Sequence, residues 1–342
     1  MPIASADQYR AMIDAARAGG YAYPAVNVSS SETLNAALRG FAEAGSDGII
    51  QITTSAATYL SGPAADMAAG AQAFALFAHV LAARAPVLIA LHTDHATVEH
   101  VDDFIRPLLR ESRRRRERGE RPLFNSHMFD GSALPLADNL RIAADLLEDA
   151  NELDLLLELE IGIVGGEEDG INNERVARER LYTTRADALA VVDKLGTGER
   201  GRYLLAATFG NVHGHYAPGN VKLRPELLGE LQDAVARRSN GRGFDFVFHG
   251  GSGSSPAEIR AAVRHGVVKM NLDTDMQYAF THAIEQHFEQ RAVDGTAGSE
   301  VGVDKRVYDP RSWGRKAELG MAARVCTATE FLGSRGRTLV RD

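Results

Sequence analysis

Eleven histidines and a single cysteine decide what a metal site in this chain could be built from. Cys326 alone cannot make a thiolate cluster, so a transition metal must be held by imidazole and carboxylate. Three histidines sit in polar contexts at the ends of apolar runs: His95 in ALHTDHA, His213 in FGNVHGHY and His249 in FVFHGGSGS. Any one of them read alone is a structural histidine. Three imidazoles around one open position make a catalytic zinc geometry, in which the metal polarises a substrate oxygen. His79, His100, His265, His282 and His287 fall on helical stretches and read as solvated or half-buried rings. His92 and His127 are placed to orient ligands from behind, and His215 points away from His213 if the chain there is extended.

Carboxylates form the second group. Glu158 and Glu160 alternate in LLLELEIG and so share a strand face, where paired charge needs a metal or a cation beside it. Glu160, nearer the end of the run, is the better candidate. The segment Gly165–Gly170, GGEEDG, reads as a hinged loop whose Glu167 and Glu168 can swing over a site, or as a solvent-exposed acidic turn. Asp94, next to His95, could donate to a developing alkoxide when protonated or hold a polar partner when ionised. A phosphate site is indicated by HGGSGS (His249–Ser254) and NLDTD (Asn271–Asp275). Gly250 and Gly251 let backbone N–H groups approach an anion, while Ser252, Ser254 and Thr274 add hydroxyls where helices begin.

Such groups work only if a scaffold converges them. Eight apolar runs recur along the chain: Ala22–Val28, Asp47–Thr53, Pro86–His92, Leu123–Met128, Asp154–Ile161, Tyr203–Phe209, Phe244–His249 and Val267–Leu272. Helix-length segments follow them, for example Ser31–Ala44, Ala64–Arg84, Leu136–Ala150 and Pro225–Arg237, the pattern of βα units around a parallel sheet. Eight units can close a (β/α)₈ TIM barrel; a doubly wound sheet is the alternative. Polar residues stand at the carboxyl end of every run, Asn27 and Thr53 among them. A barrel gathers those ends at one mouth, whereas an open sheet scatters them along its edge. The expected fold is therefore a single TIM-barrel domain over residues 1–342, with an excursion at Arg291–Val307 and a C-terminal helical extension, Ser312–Leu332.

Length and charge set the outer bounds. A chain of 342 residues can bury about three quarters of its unfolded surface, and α/β barrels reach this size as one unit. The lone cysteine excludes a disulfide-built scaffold and fits a reducing, cytoplasmic setting. A net charge of −8 argues against a nucleic-acid footprint, and RRRRER at Arg113–Arg118 reads as a solvated helix end. The most membrane-like run, Ala85–Leu91, is too short to span a bilayer, and the N-terminus does not resemble a signal peptide.

With YPAVN, SDGIIQ, LHTDH, SHMFDGS, LELEIG, GGEEDG, AATFGNVHG, FVFHGGSGS, VVKMNLDTD and YDPRSW in place, the chain resembles the class II, zinc-dependent fructose-bisphosphate aldolases, in particular their actinobacterial branch. The resemblance implies reversible cleavage of fructose 1,6-bisphosphate to dihydroxyacetone phosphate and glyceraldehyde 3-phosphate through a zinc-stabilised enediolate. It makes His95, His213 and His249 the zinc ligands, with Asp130 and Glu160 near an alternative metal position. Glu168 becomes the base that takes the donor's proton, with Glu167 beside it, and Asp94 the group that polarises the aldehyde. Gly214, Gly250, Gly251, Ser252, Asp273 and Thr274 would bind the donor phosphate, Asn27 and Asn271 the substrate hydroxyls, Thr53 would keep a hydroxyl at the substrate, and Arg311 would hold the second phosphate, from a neighbouring subunit. A second divalent ion, a sodium or potassium ion near the phosphate glycines, and a homodimer or homotetramer are implied in the same way. Three departures stand out: Thr53-Thr54-Ser55-Ala56-Ala57 where the family has Ser-x-Gly-Gly-Ala, Ala217 in place of a lysine, and Ala96 in place of a cysteine. They leave open another phosphorylated ketose as substrate, or a binding protein that keeps the site without turnover.

Overall fold

Seven of the eight apolar runs hold a strand within their limits or a residue or two beyond, and the eighth, Pro86–His92, starts one that runs on past it. The barrel strands are β1 (Tyr23–Asn27), β2 (Gly48–Thr53), β3 (Ile89–Thr97), β4 (Ser126–Asp130), β5 (Leu156–Ile161), β8 (Tyr203–Ala207), β10 (Phe246–Phe248) and β11 (Val267–Leu272). They close in the order β1-β11-β10-β8-β5-β4-β3-β2, all parallel, as a (β/α)₈ barrel. This computed structural model describes residues 3–168, 171–172, 181–213, 222–239, 241–251, 253–293 and 305–340; the side chains at 166–168, 171–172, 212–213, 290–293 and 305–306 lie outside that description.

Helices surround the barrel: α2 (Ser31–Ala44), α3 (Thr54–Leu60), α4 (Met67–Ala82), α5 (Arg106–Glu117), α6 (Leu136–Asn151), α7 (Arg185–Leu195), α8 (Pro225–Ala236), α9 (Pro256–Arg264) and α10 (Thr274–Val293). Several begin on capping boxes written in the sequence, such as Ser30 with Thr33, Thr184 with Asp187 and Ser255 with Glu258. The basic run Arg113–Arg118 ends α5, where its arginines pair with Glu111, Glu120, Asp149, Glu152 and Asp154 on the surface. After α11 (Lys305–Tyr308), the long α12 (Pro310–Leu332) packs on α2 and α10. Gly40 makes the α2 contact possible: a Cβ there would lie 2.6 Å from Val325 Cβ. Residues 294–304 of the expected excursion lie outside the described residues.

Three elements differ from the sequence expectation. Helix α1 (Ala6–Gly19), started by a Ser5–Gln8 capping box, puts Tyr9, Met12, Ile13 and Ala16 across the amino-terminal end of the barrel. The Thr53–Ala57 stretch is no loop, because Thr53 is the N-cap of α3 and its hydroxyl accepts from the Ala56 N–H at 3.2 Å. The glycines of GGEEDG open a strand, β6 (Gly165–Glu168), which pairs in parallel with β9 (Val212–His213) and antiparallel with β7 (Ile171–Asn172). Extended backbone with ladder partners was not foreseen because glycines and adjacent acids are both poor strand formers.

Two apolar clusters result. One lies between strands and outer helices; the other fills the lower barrel interior, where Tyr23, Ile49, Leu156, Leu204 and Val247 meet α1. Above this inner layer the interior turns polar.

Candidate active site

Neighbouring residues of a regular strand point to opposite faces, so Asp94 and His95 should not share a site. They do because the β3–β4 register shifts between Thr93 and Ala96, and His95 adopts a left-handed backbone with φ of 41°. A non-glycine residue held there is strained, a feature that collects at functional positions. The bulge aims both side chains inward toward His249, which follows β10. One ligand atom each from Asp94, His95 and His249 lies within 4.8 Å of the others, and the two imidazole rings are 4.8 Å apart. His95, Asp130 and Glu160 form a second such group, sharing His95.

Behind these groups the carboxylates are engaged. His95 Nδ1 is 3.2 Å from Asp130 Oδ2, and His249 stands between two acids, with Nδ1 2.8 Å from Glu160 and Nε2 2.7 Å from Glu158. Burial alone would lower His249, but these two carboxylates push it up to about 9. Burial works against the charge on Asp130, yet the hydrogen bonds from His95 and Ser132 hold it well below the usual carboxylate range. Glu160 is raised by burial and by the nearby Asp130. Burial would raise Glu158 too, but Lys269 at 2.8 Å and the imidazoles of His92 and His249 hold it far below. His92, bonded to Ser126 Oγ at 2.7 Å, is kept neutral by burial and by Lys269. It braces Glu158 from behind, at 3.4 Å. His127 bonds Thr93 instead and takes no part in the cluster.

Asp94 is fixed by amides. Asn27 Nδ2 donates to its Oδ2 at 3.0 Å, Gln51 Nε2 to the same oxygen at 2.8 Å, and Asn271 Nδ2 to Oδ1 at 3.0 Å. Gln51 also donates to Asn27 Oδ1. It was missed as a site residue in the sequence, although one polar residue within GIIQIT is a visible signal of an inward-facing group. Asn211 donates to the His249 carbonyl at 2.8 Å and so fixes the backbone of that imidazole.

Beside the cluster a cleft of about 210 Å³ runs between Asn27, Thr53 and Asp273, with Gln277 and Met321 on its far wall. Thr53 thus lines the site while its hydroxyl caps α3. Gly250 has φ of 60°, and a Cβ at Gly251 would lie 2.2 Å from Met270 Cε, so both positions need glycine's shape. Thr274 is exposed at the first turn of α10, and Asp273 holds Gln277 Nε2 at 2.7 Å. Helix α9 is capped by Ser255, so Ser254 stands one residue before the cap. Gly214 and Ser252 lie outside the described residues, as do the side chains of Glu167, Glu168 and His213. Their strands are described: β6 runs hydrogen-bonded beside β9, with Gly166 opposite His213. Arg311 is not brought to the cleft. It is exposed at the start of α12, paired with Asp309 at 2.6 Å, and ten residues, about 15 Å of helix, from Met321.

The donor set suits a divalent cation. Two imidazoles and a carboxylate converge, and Asp130, Glu158 and Glu160 surround them with more negative than positive charge. Fold and site define a (β/α)₈ barrel with a metal-ligating set of side chains at its carboxyl-terminal mouth, the face on which such barrels carry catalysis. A model of the family "Fructose-bisphosphate aldolase class-II" matches residues 7–337, and the chain belongs to that family. The chain is 57% identical to the fructose-bisphosphate aldolase of Streptomyces galbus over 99% of its length and all of that protein. It is 52% identical to the Mycobacterium tuberculosis fructose-bisphosphate aldolase, covering 99% of each. Among solved structures, the fructose-bisphosphate aldolase of Campylobacter jejuni superposes with a TM-score of 0.86 at 35% identity, covering 98% of this chain and 97% of that one.

Proposed function

We propose that this chain is a lyase that reversibly cleaves fructose 1,6-bisphosphate to dihydroxyacetone phosphate and glyceraldehyde 3-phosphate in the cytoplasm. The observation that carries the reading is the convergence of Asp94, His95 and His249 at the barrel mouth of a chain from the class II aldolase family. His95, His249 and His213 would hold a zinc ion, with Asp130 and Glu160 as the alternative position. When bound, the zinc supplies the Lewis acidity that polarises the donor carbonyl.

The chain's own residues do the rest. Glu168, on the strand beside that of His213, takes the proton from the donor's hydroxymethyl carbon, and Glu167 adjoins it. Asp94, locked by three amide donors, is aimed at the aldehyde oxygen, where a fixed group needs no reorganisation as charge moves. Asn27 and Asn271 orient the substrate hydroxyls. Gly214, Gly250, Gly251, Ser252, Asp273 and Thr274 receive the donor phosphate, and Thr53 lines the cleft together with Asp273. The second phosphate goes to the Arg311 guanidinium of a second copy of the chain in a homodimer or homotetramer, which its distance from this chain's own cleft supports.

Chelation tests the reading. Protein stripped of metal should lose cleavage of fructose 1,6-bisphosphate and regain it with added zinc. Full turnover in the stripped protein would overturn it, and faster turnover of another ketose phosphate in a panel would reassign the substrate.

A further inference from the structure

One fully buried charged side chain has no place in this chemistry. Lys269 lies on β11 with none of its surface exposed. Its inward direction comes from an irregularity: Phe246 pairs with Val267 but Val247 pairs with Lys269, so Val268 is an extra residue in the β11 ladder. Such a bulge re-aims the residues beyond it, and Lys269 and Asn271 both turn into the barrel. There the ammonium meets Glu158 Oε2 at 2.8 Å and donates to Asn271 Oδ1 at 2.7 Å.

Each contact leads to a different part of the site. Glu158 continues to His249 at 2.7 Å, and Asn271 continues to Asp94 at 3.0 Å. We propose that Lys269 is a positioning residue that couples the metal-ligand arm to the substrate-amide arm, setting the Asn271 amide and filling the deeper part of the cluster with a fixed cation. The inference rests on the aldolase reading of the site.

The reasoning is donor arithmetic. An ammonium only donates, so the Asn271 atom facing it must be the oxygen, and the amide NH₂ is thereby turned to Asp94. Without that donor the amide is held at its NH₂ end by Asp94 alone, and its oxygen loses the ammonium that fixes it. On the other arm, His92, Asp94 and Glu158 present ligand atoms within 4.8 Å of one another, a set able to hold a divalent ion. With the ammonium 2.8 Å from Glu158, a second cation there meets a like charge at short range, and the ion is directed to the upper histidines.

The test compares the zinc-loaded protein with Lys269→Met and with the Glu158→Gln/Lys269→Met double variant, reading bound zinc per protomer by elemental analysis together with kcat and KM for fructose 1,6-bisphosphate. The single variant should take up one additional zinc per protomer. KM should rise about tenfold in both variants, the effect of one lost hydrogen bond, and kcat should fall less, because Asn27 and Gln51 still hold Asp94. The double variant should bind no additional zinc, having lost the deep carboxylate together with the ammonium. If the single variant does not fold, the charge-balanced double variant carries the test through KM. A folded single variant without the extra zinc, or a folded double variant with unchanged KM, overturns the proposal. Absence of turnover in the unmodified protein would instead sink the aldolase reading and leave the zinc count to decide the role of Lys269.

Discussion

The two halves of the barrel interior are made from the same eight strands and obey opposite rules. In the lower half, Tyr23, Ala25, Ile49, Leu156, Leu204 and Val247 face one another and are closed off by α1. A few residues higher, on the same strands or just past their ends, stand Asn27, Gln51, Glu158 and His249, all buried. Burying these polar groups is unfavourable unless each finds partners, and the upper half supplies them in a continuous chain from Asn27 through Asp94, Asn271, Lys269 and Glu158 to His249. Stability is concentrated below and chemistry above. The regular alternation of strands serves the lower half, whereas the upper half depends on two breaks in it, at Thr93–Ala96 and at Val267–Lys269.

The sharpest way to test that division is to remove a group the upper half depends on. His249→Ala deletes the imidazole between Glu158 and Glu160, and cleavage should fall by about a thousandfold or more, the scale of several kcal/mol of transition-state stabilisation. Steady-state assay of the folded variant decides it; activity within tenfold of the parent would move the chemistry elsewhere. The matching deletion below is Met12→Ala in α1, a fully buried side chain of the lower apolar cluster. It should lower unfolding free energy by about 2–5 kcal/mol in denaturant titration and leave kcat within about twofold. A large fall in kcat at full folding would mean that the halves are not independent.

The lower half and the barrel were the more legible parts of the sequence. The recurrence of short apolar runs such as Asp47–Thr53 with helix-length segments between them made strand number, order of elements and fold class readable. His95 and His249 were readable as candidates because three histidines fall in polar contexts at the ends of apolar runs that one barrel mouth would gather, although each alone reads as structural. Helix α1 was overlooked although Ser5 and Gln8 spell its capping box, because no apolar run precedes it in a βα pattern. The network below the site was illegible for a different reason. Lys269 and Gln51 acquire their roles from partners on strands far away in sequence, and a bulge that turns Lys269 inward leaves no mark on composition. The positive φ of His95 is likewise a product of the closed barrel.

Two histidines give the comparison opposite signs in pH. In metal-free protein His249 is raised to about 9 by its carboxylates, so its contribution is fully present below its ordinary value of 6.5 and is lost as pH rises through 9. His127, outside the cluster, is lowered from 6.5 to about 3 by burial, so its contribution is present above 6.5 and lost as pH falls toward 3. At pH 5 the loss from His127 is about 2 kcal/mol, and the depressed His92 adds in the same direction. Denaturant unfolding of chelated protein should therefore show greatest stability near pH 6.5, lower at both 9 and 5. A profile still rising at pH 5 would contradict the neutral burial of His127, and His127→Gln should make the acid limb shallower, leaving the part due to His92, without changing the alkaline limb.

The smallest effect belongs to the seam between the halves. Ser126 pairs in register with His92 on one side and with Leu156, a lower-half residue, on the other. Its hydroxyl meets His92 Nδ1 at 2.7 Å, and the same ring reaches Glu158 at 3.4 Å, so His92 spans the boundary. Ser126→Ala removes one partner of a buried neutral imidazole and leaves the carboxylate network itself intact. The expected cost is about 1 kcal/mol of stability, with kcat changed by less than about threefold, because no group facing the cleft loses a bond. Urea unfolding and steady-state kinetics on the same preparation separate the two quantities. If kcat falls tenfold while stability is unchanged, His92 belongs to the chemistry above and the seam lies one layer lower, at Leu156 and Tyr23.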